Sequence, residues 1–327
     1  MQKLRTVCAI LCLLAATGVQ LLPNLAAAQS QINNAFNPRQ LGWTRLLFNG
    51  KTFMGKVSVD VQLAFISPDE AKRVLIASPK GIPISMESPN VGRITVRRTI
   101  EFKFSSKITG RDKIWFNPTQ ANALGRIRLR RGDDDVLKID RFTDQGVFRI
   151  KKKPADKKEL RLSPDKWTNT RENFYIHDLK QLRCALVSER SILLYAVSGG
   201  PFSNIPEPVS FCVFGKRQLH RVRLSAAGVQ SLKVNYVEKK GDTSVAKEGS
   251  VEALKIALEA QPLNSDLNNS EDFSFYGMRS NIAIFIDPAS RLPVQISGKL
   301  PKLGNVDFKL SEVKLRSNVN AMGRINK

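Results

Sequence analysis

Apolar and polar residues alternate with a period of two along most of this chain. Residues 56–63 read Lys-Val-Ser-Val-Asp-Val-Gln-Leu, and the same pattern recurs at 93–97, 99–104, 126–130, 136–140 and 147–151. It returns at 219–224, 232–237, 294–297 and 306–310, with a continuous apolar run at 282–286. Such alternation predicts half-buried antiparallel strands, apolar toward a core and polar toward water. Strands at roughly ten-residue spacing, without intervening helices, predict a mainly β fold: one large antiparallel curved sheet, as a half-barrel or a sandwich. Residues 251–260 alternate like a strand but carry helix-favouring Glu252, Ala253, Ala257 and Ala260, and we read them as strand.

Turn chemistry punctuates the pattern at Asn49-Gly50, 79–81, 109–112 and 132–135, and a hairpin is expected around Gly304-Asn305. One short helix is predicted near 178–197. Asp178 would cap it, Leu179, Leu182, Leu186 and Leu193 would form its apolar stripe, and Ser198-Gly199-Gly200-Pro201 would end it. The charged, proline-marked stretch 151–173 reads as a basic loop or insertion between an N-terminal β region at 29–150 and a C-terminal β region at 174–316. A tail covers 317–327.

The first 28 residues change the picture most. Lys3 and Arg5 precede an apolar stretch, and Ala26-Ala27-Ala28 offers small residues for a signal peptidase. Cleavage after Ala28 and a periplasmic location are expected. Gly18, Gln20 and Pro23 break the stretch short of an uninterrupted span of about 20 residues. The chain has 327 residues and a formal net charge of +23, which in an exported protein points to anionic partners. Cys8 and Cys12 would leave with the signal. Cys184 and Cys212 would remain and pair as a disulfide, two buried thiols being the alternative.

Little in the sequence marks chemistry. There are two histidines, His177 and His220, with His220 expected at the surface among basic neighbours. No nucleophile elbow, phosphate-binding loop or zinc-binding helix motif occurs. Asp133-Asp134-Asp135 reads as a turn rather than a calcium loop. The expectation is no enzyme activity, no catalytic residue, no cofactor and no metal. Between Val91 and Arg131 eleven basic residues face two acidic ones, and alternation sets Arg126, Arg128 and Arg130 on one sheet face. Those guanidinium groups are candidate anion-binding residues, or else the solvated face of a sheet. Nucleic acid is not expected: an export signal leads away from it, and no stacking aromatics accompany the row.

The C-terminal third resembles a family of exported proteobacterial proteins of unknown function. The residues concerned are Phe214-Gly215-Lys216-Arg217, Val222-Arg223-Leu224 and Gly228, then Asp287, Arg291-Leu292-Pro293-Val294, Gly304 and Leu310. The resemblance covers about 175–312. It implies a periplasmic curved antiparallel sheet, similar in layout to lipoprotein-carrier half-barrels, and brings no catalytic residues. Two functions are therefore expected in competition. One is a non-catalytic binding protein for an amphipathic or lipid-like anionic ligand, with peripheral membrane contact. The other is an envelope scaffold that binds an acidic partner or polymer through its basic face.

Overall fold

The computed structural model describes residues 36, 38–86, 88–103, 107–132, 134–200, 202, 208–263, 273–301 and 303–316. The segment 1–28 expected to be a signal, the 317–327 tail and Asp133 lie outside the described residues. The strands are β1 (Trp43–Thr52), β2 (Gly55–Ile66), β3 (Val91–Phe102), β4 (Ile108–Asn117), β5 (Asn122–Arg131), β6 (Val136–Thr143), β7 (Gly146–Lys153) and β8 (Asn169–Ile176). They continue as β9 (Val187–Glu189), β10 (Val209–Phe214), β11 (Leu219–Lys240), β12 (Thr243–Pro262), β13 (Ser280–Ile286), β14 (Pro293–Leu300) and β15 (Gly304–Leu315). Two helices are present among the described residues, α1 (Pro68–Lys72) and α2 (Ile192–Gly199).

All fifteen strands form one curved sheet in the order β8-β7-β6-β5-β4-β3-β2-β1-β15-β14-β13-β12-β11-β10-β9. Neighbours are antiparallel except β9 on β10. The fold is mainly β, as the alternation predicts. The sheet rolls so that its β9 end lies inside, against β5: Ser188 Oγ donates to the Ala121 carbonyl at 2.7 Å, and Glu189 meets Arg126. Residues 154–168 are a loop with two short 3-10 turns joining β7 to β8 within that sheet.

The interior is packed. Every residue of α2 is buried, as an all-round apolar helix requires, and Tyr195 stacks edge-on against Phe116 at 4.8 Å. Val57, Val59, Val61 and Leu63 point inward from β2, and Phe48 and Phe308 pack with them. Outside β3–β6 a strap, residues 67–86 with α1, covers a second apolar layer of Ala71, Trp115 and Leu124. The strap is tied to β6 where Ile84 N donates to the Phe142 carbonyl.

Three local expectations are corrected. The stripe read across 178–197 spans two elements. Asp178 does cap a turn, accepting from Gln181 N at 2.9 Å, but Arg183 takes φ +51° and ends it. β9 then intervenes before α2, so Cys184 lies off any helix. Asn49-Gly50 and 109–112 are strand interior rather than turns. A Cβ on Gly50 would stand 2.6 Å from the Phe308 ring, and Gly110 faces Arg98, so both glycines clear space for a neighbouring side chain. His220 is fully buried at the start of β11, its ring 5.7 Å from that of Phe273.

The Cys184–Cys212 disulfide forms, with Cys212 on β10 and Cα atoms 5.9 Å apart. It fastens the Asp178 turn to the innermost strands, because Cys212 also pairs with Val187 of β9. The two cysteines are 28 residues apart, for which the chain-entropy model gives about 3–4 kcal/mol. The double variant Cys184→Ser/Cys212→Ser should lose that much stability in urea denaturation. An unchanged midpoint would show that the crosslink is not a fastening of the fold.

Candidate functional site

The antiparallel register of β3–β7 builds rows of side chains that face the barrel interior. One row runs Val96, Asp112, Arg128, Lys138 and Lys151. The next runs Ile94, Ile114, Arg126, Asp140 and Arg149. Ile114 belongs to the interior core, while Ile127 packs outward under the strap. The basic face of β5 is therefore the inner face. Arg126, Arg128 and Arg130 do share a side, as alternation requires, but this side is turned away from water at its deep end.

The three arginines differ sharply in surroundings. Arg126 is only 1% exposed and is held by two carboxylates: its Nε donates to Asp140 Oδ2 at 2.7 Å and its Nη1 to Glu189 Oε1 at 2.8 Å. Arg128 donates to Asp112 at 3.1 Å and to Glu189 at 3.4 Å. Arg130 is half exposed at the rim and pairs with Asp134. The Asp-rich hairpin is thus a turn whose acids pair with local cations: Asp134 also meets Lys153, and Asp135 meets Arg131 at 2.9 Å. Among the described residues no cluster of His, Cys, Asp and Glu is arranged for a metal.

Residues that sequence reasoning did not single out complete the site. Glu189, fully buried at the end of β9, also lies 3.5 Å from Arg190 and accepts from Ser191 N at 2.7 Å. Arg149 donates to Asp140 at 2.5 Å and stacks on Phe214 and Tyr175. Arg190 is anchored by the Ser274 carbonyl at 3.0 Å. Arg98, on β3, makes no hydrogen bond or ion pair with the described residues. Its guanidinium lies against the open side of Gly110, 3.4 Å from where a Cβ would stand, and near Gly277. The Tyr276 hydroxyl is buried beside this group and has no hydrogen-bond partner among the described residues.

Six cations (Arg98, Arg126, Arg128, Lys138, Arg149 and Arg190) thus surround three carboxylates (Asp112, Asp140 and Glu189), a surplus of three positive charges. Electrostatic shifts follow from that imbalance. Burial alone would raise Asp140, but Arg126 and Arg149 outweigh it and hold its carboxyl far below the usual range. Asp112 is likewise held low by Arg128, Arg98 and Arg190 against the opposing effect of burial. The cations lack enough partners: burial, then repulsion from Arg190, pushes Arg128 down, and burial lowers Arg98. Lys138 falls to about 7, chiefly through burial and then through Arg149 and Arg128. The cluster as a whole carries more positive than negative charge.

No family model matches the chain, and no curated protein is similar to it. A solved structure, the crystal structure of a β-barrel-like protein of domain of unknown function DUF1849 from Brucella abortus, is similar to it with a TM-score of 0.38 and 7% identity. The likeness covers 85% of this chain and 99% of that one. Of what the resemblance over residues 175–312 implies, the mainly β curved sheet is present in the fold itself.

Removing one member of the network leaves buried charge without a partner. Glu189→Gln should destabilise the fold by about 3–5 kcal/mol in chemical denaturation, far more than the rim variant Asp134→Asn. A loss equal to that of Asp134→Asn would contradict the geometry. Asp140 adds a pH signature. Its folded pKa is depressed, so its contribution is complete above the unfolded value of about 4 and is lost as pH falls below it. The acid limb of a stability–pH curve should flatten in Asp140→Asn.

Proposed function

We propose that this chain is an exported, non-catalytic binding protein that takes the anionic group of an amphipathic or lipid-like ligand at the cationic mouth of its barrel. The observation that carries the reading is the uncompensated charge around Arg98, with the partnerless Tyr276 hydroxyl beside it. Burying charge without a counterion is costly, and an incoming carboxylate or phosphate would accept from both groups. The disulfide supports the export reading, since such crosslinks persist in oxidising compartments.

The ligand class follows from what the interior leaves open. The depth of the barrel is filled by α2 and aromatic side chains, so the mouth recognises the head group rather than a long chain. A flat acidic polymer or protein partner would reach Arg130 at the rim but not Arg126 behind it. That contrast favours a small anionic group over macromolecular docking on the β5 row.

Inorganic phosphate, titrated calorimetrically into the mature protein, is expected to bind saturably. Arg98→Gln should weaken it tenfold or more, the loss of one charge-assisted hydrogen bond. Lys138 gains its proton only below about pH 7, so binding should tighten from pH 8 to pH 6, and Lys138→Met should remove that added dependence. Heat that never saturates, or equal affinity in Arg98→Gln, would refute the site.

A further inference from the structure

The longest hairpin in the molecule does something the barrel does not need. β11 pairs with β10 only as far as Leu224, and β12 pairs with β13 only as far as Leu254. Beyond those points the two strands continue as a ribbon paired mainly to itself, from Val229↔Leu254 to Lys240↔Thr243. The ribbon then curls back over the sheet. Val237, Glu238 and Lys239 pair in parallel with Glu312, Val313 and Lys314 of β15, and Lys239 Nζ lies 2.6 Å from Glu312. Five strands, β11 to β15, thereby close a second, smaller ring on the outside of the main barrel.

That ring is only partly filled. A cavity of about 450 Å³, open to solvent on one side, lies between the ribbon and β14–β15, within the range of small-molecule sites. Its roof is Leu232 and Val234, with Gly249 opposite Val234. No atom lies within 4 Å of where a Gly249 Cβ would stand. A bulge turns Val294 out to join Phe285 in a small apolar cluster with Leu232. On the same outward row the register sets Lys255 beside Phe285, then Gln295, then Lys309. Neither lysine has an ion-pair partner among the described residues. The lining is half apolar, from Leu232, Val234, Val294 and Leu310, and half polar, with Glu248 on the ribbon side and the amine of Lys309 on the sheet side. The apolar part matches an aliphatic chain and Lys309 an acidic head.

The ribbon also carries the parts of a hinge. A bulge interrupts its pairing between Ala226 and Val229, and Gly228 within it adopts φ +90°, with no neighbour within 4 Å of its Cβ position. Residues 226–231 and 243–250 are exposed, so few contacts resist motion there. The Lys239–Glu312 pair and three parallel backbone registers hold the far end down.

We propose that the space under the ribbon is a binding site for a single aliphatic chain whose acidic head meets Lys309, and that the β11–β12 ribbon is its hinged cover. The site is separate from the cationic mouth and stands or falls without it. Calorimetry of the mature protein with sodium dodecanoate, in inorganic phosphate that saturates the mouth, is the direct test. Saturable binding of one chain is expected, with loss in Val234→Trp, which fills the roof, and at least tenfold weakening in Lys309→Glu, an exposed position that leaves the melting temperature unchanged. Arg98→Gln, which alters the mouth, should bind dodecanoate like the wild type. Bound dodecanoate should also slow amide exchange along residues 229–249. Absence of saturable uptake, or affinity that Lys309→Glu does not weaken, overturns the proposal. Loss of uptake in Arg98→Gln overturns it too, by placing the chain at the mouth.

Discussion

The bond between Arg126 and the two carboxylates Asp140 and Glu189 is the constraint on which the rest of the architecture depends. It joins β5 and β6, neighbours in one hairpin, to β9, the last strand of the sheet and 63 residues away in sequence from Arg126. A guanidinium at this depth is tolerated only when its charge is met and its donors are used. Arg126 therefore fixes how far the sheet rolls: β9 must come close enough for Glu189 to reach it. Once Glu189 is there, its other neighbours follow. Its backbone-facing oxygen holds Ser191 N at the entry to α2, and its shared oxygen draws in Arg128 and Arg190.

The same constraint explains why the interior ends up positive. Three buried carboxylates can satisfy the deep arginines, and the network is closed at that level by Asp140 between Arg126 and Arg149. Toward the mouth the ratio shifts. Arg98 and Lys138 are added without further acids, and both respond by losing affinity for their protons. Charge therefore runs from compensated to uncompensated along one face, and the proposed anion would rest where the deep network does not reach. The cavity under the ribbon, half apolar and half polar in its lining, lies on the other side of the sheet, so one rolled sheet presents two distinct surfaces.

Much of the fold is legible in the order of side chains. The period-two pattern at 56–63, 126–130 and 306–310 corresponds to β2, β5 and β15, and the ambiguous 251–260 lies within β12. The pairing of Cys184 with Cys212 was also readable once Cys8 and Cys12 were assigned to the expected signal. What alternation does not tell is which face is inside. In β2 the apolar side faces the core, but in β5 the strap takes the apolar side and leaves the arginines within. A signal for this exists: folding 126–140 as a hairpin about its Asp-rich turn sets Arg126 opposite Asp140, an oppositely charged pair on one row. Glu189, Arg190 and Tyr276 carry no local signature, because their roles arise from contacts with strands far away in sequence. Gly50 and Gly110 mislead for a related reason: glycine marks turns locally, but here each makes room for a side chain on a neighbouring strand.

The claim that unites these observations is that the barrel mouth holds positive charge for an anion to complete. Diffraction from crystals soaked in selenate, recorded at the selenium edge, tests it most directly. The account predicts an anomalous peak within hydrogen-bond reach of the Arg98 guanidinium and the Tyr276 hydroxyl. Selenium found only beside exposed lysines of the outer surface, with the mouth empty at saturating selenate, would contradict it.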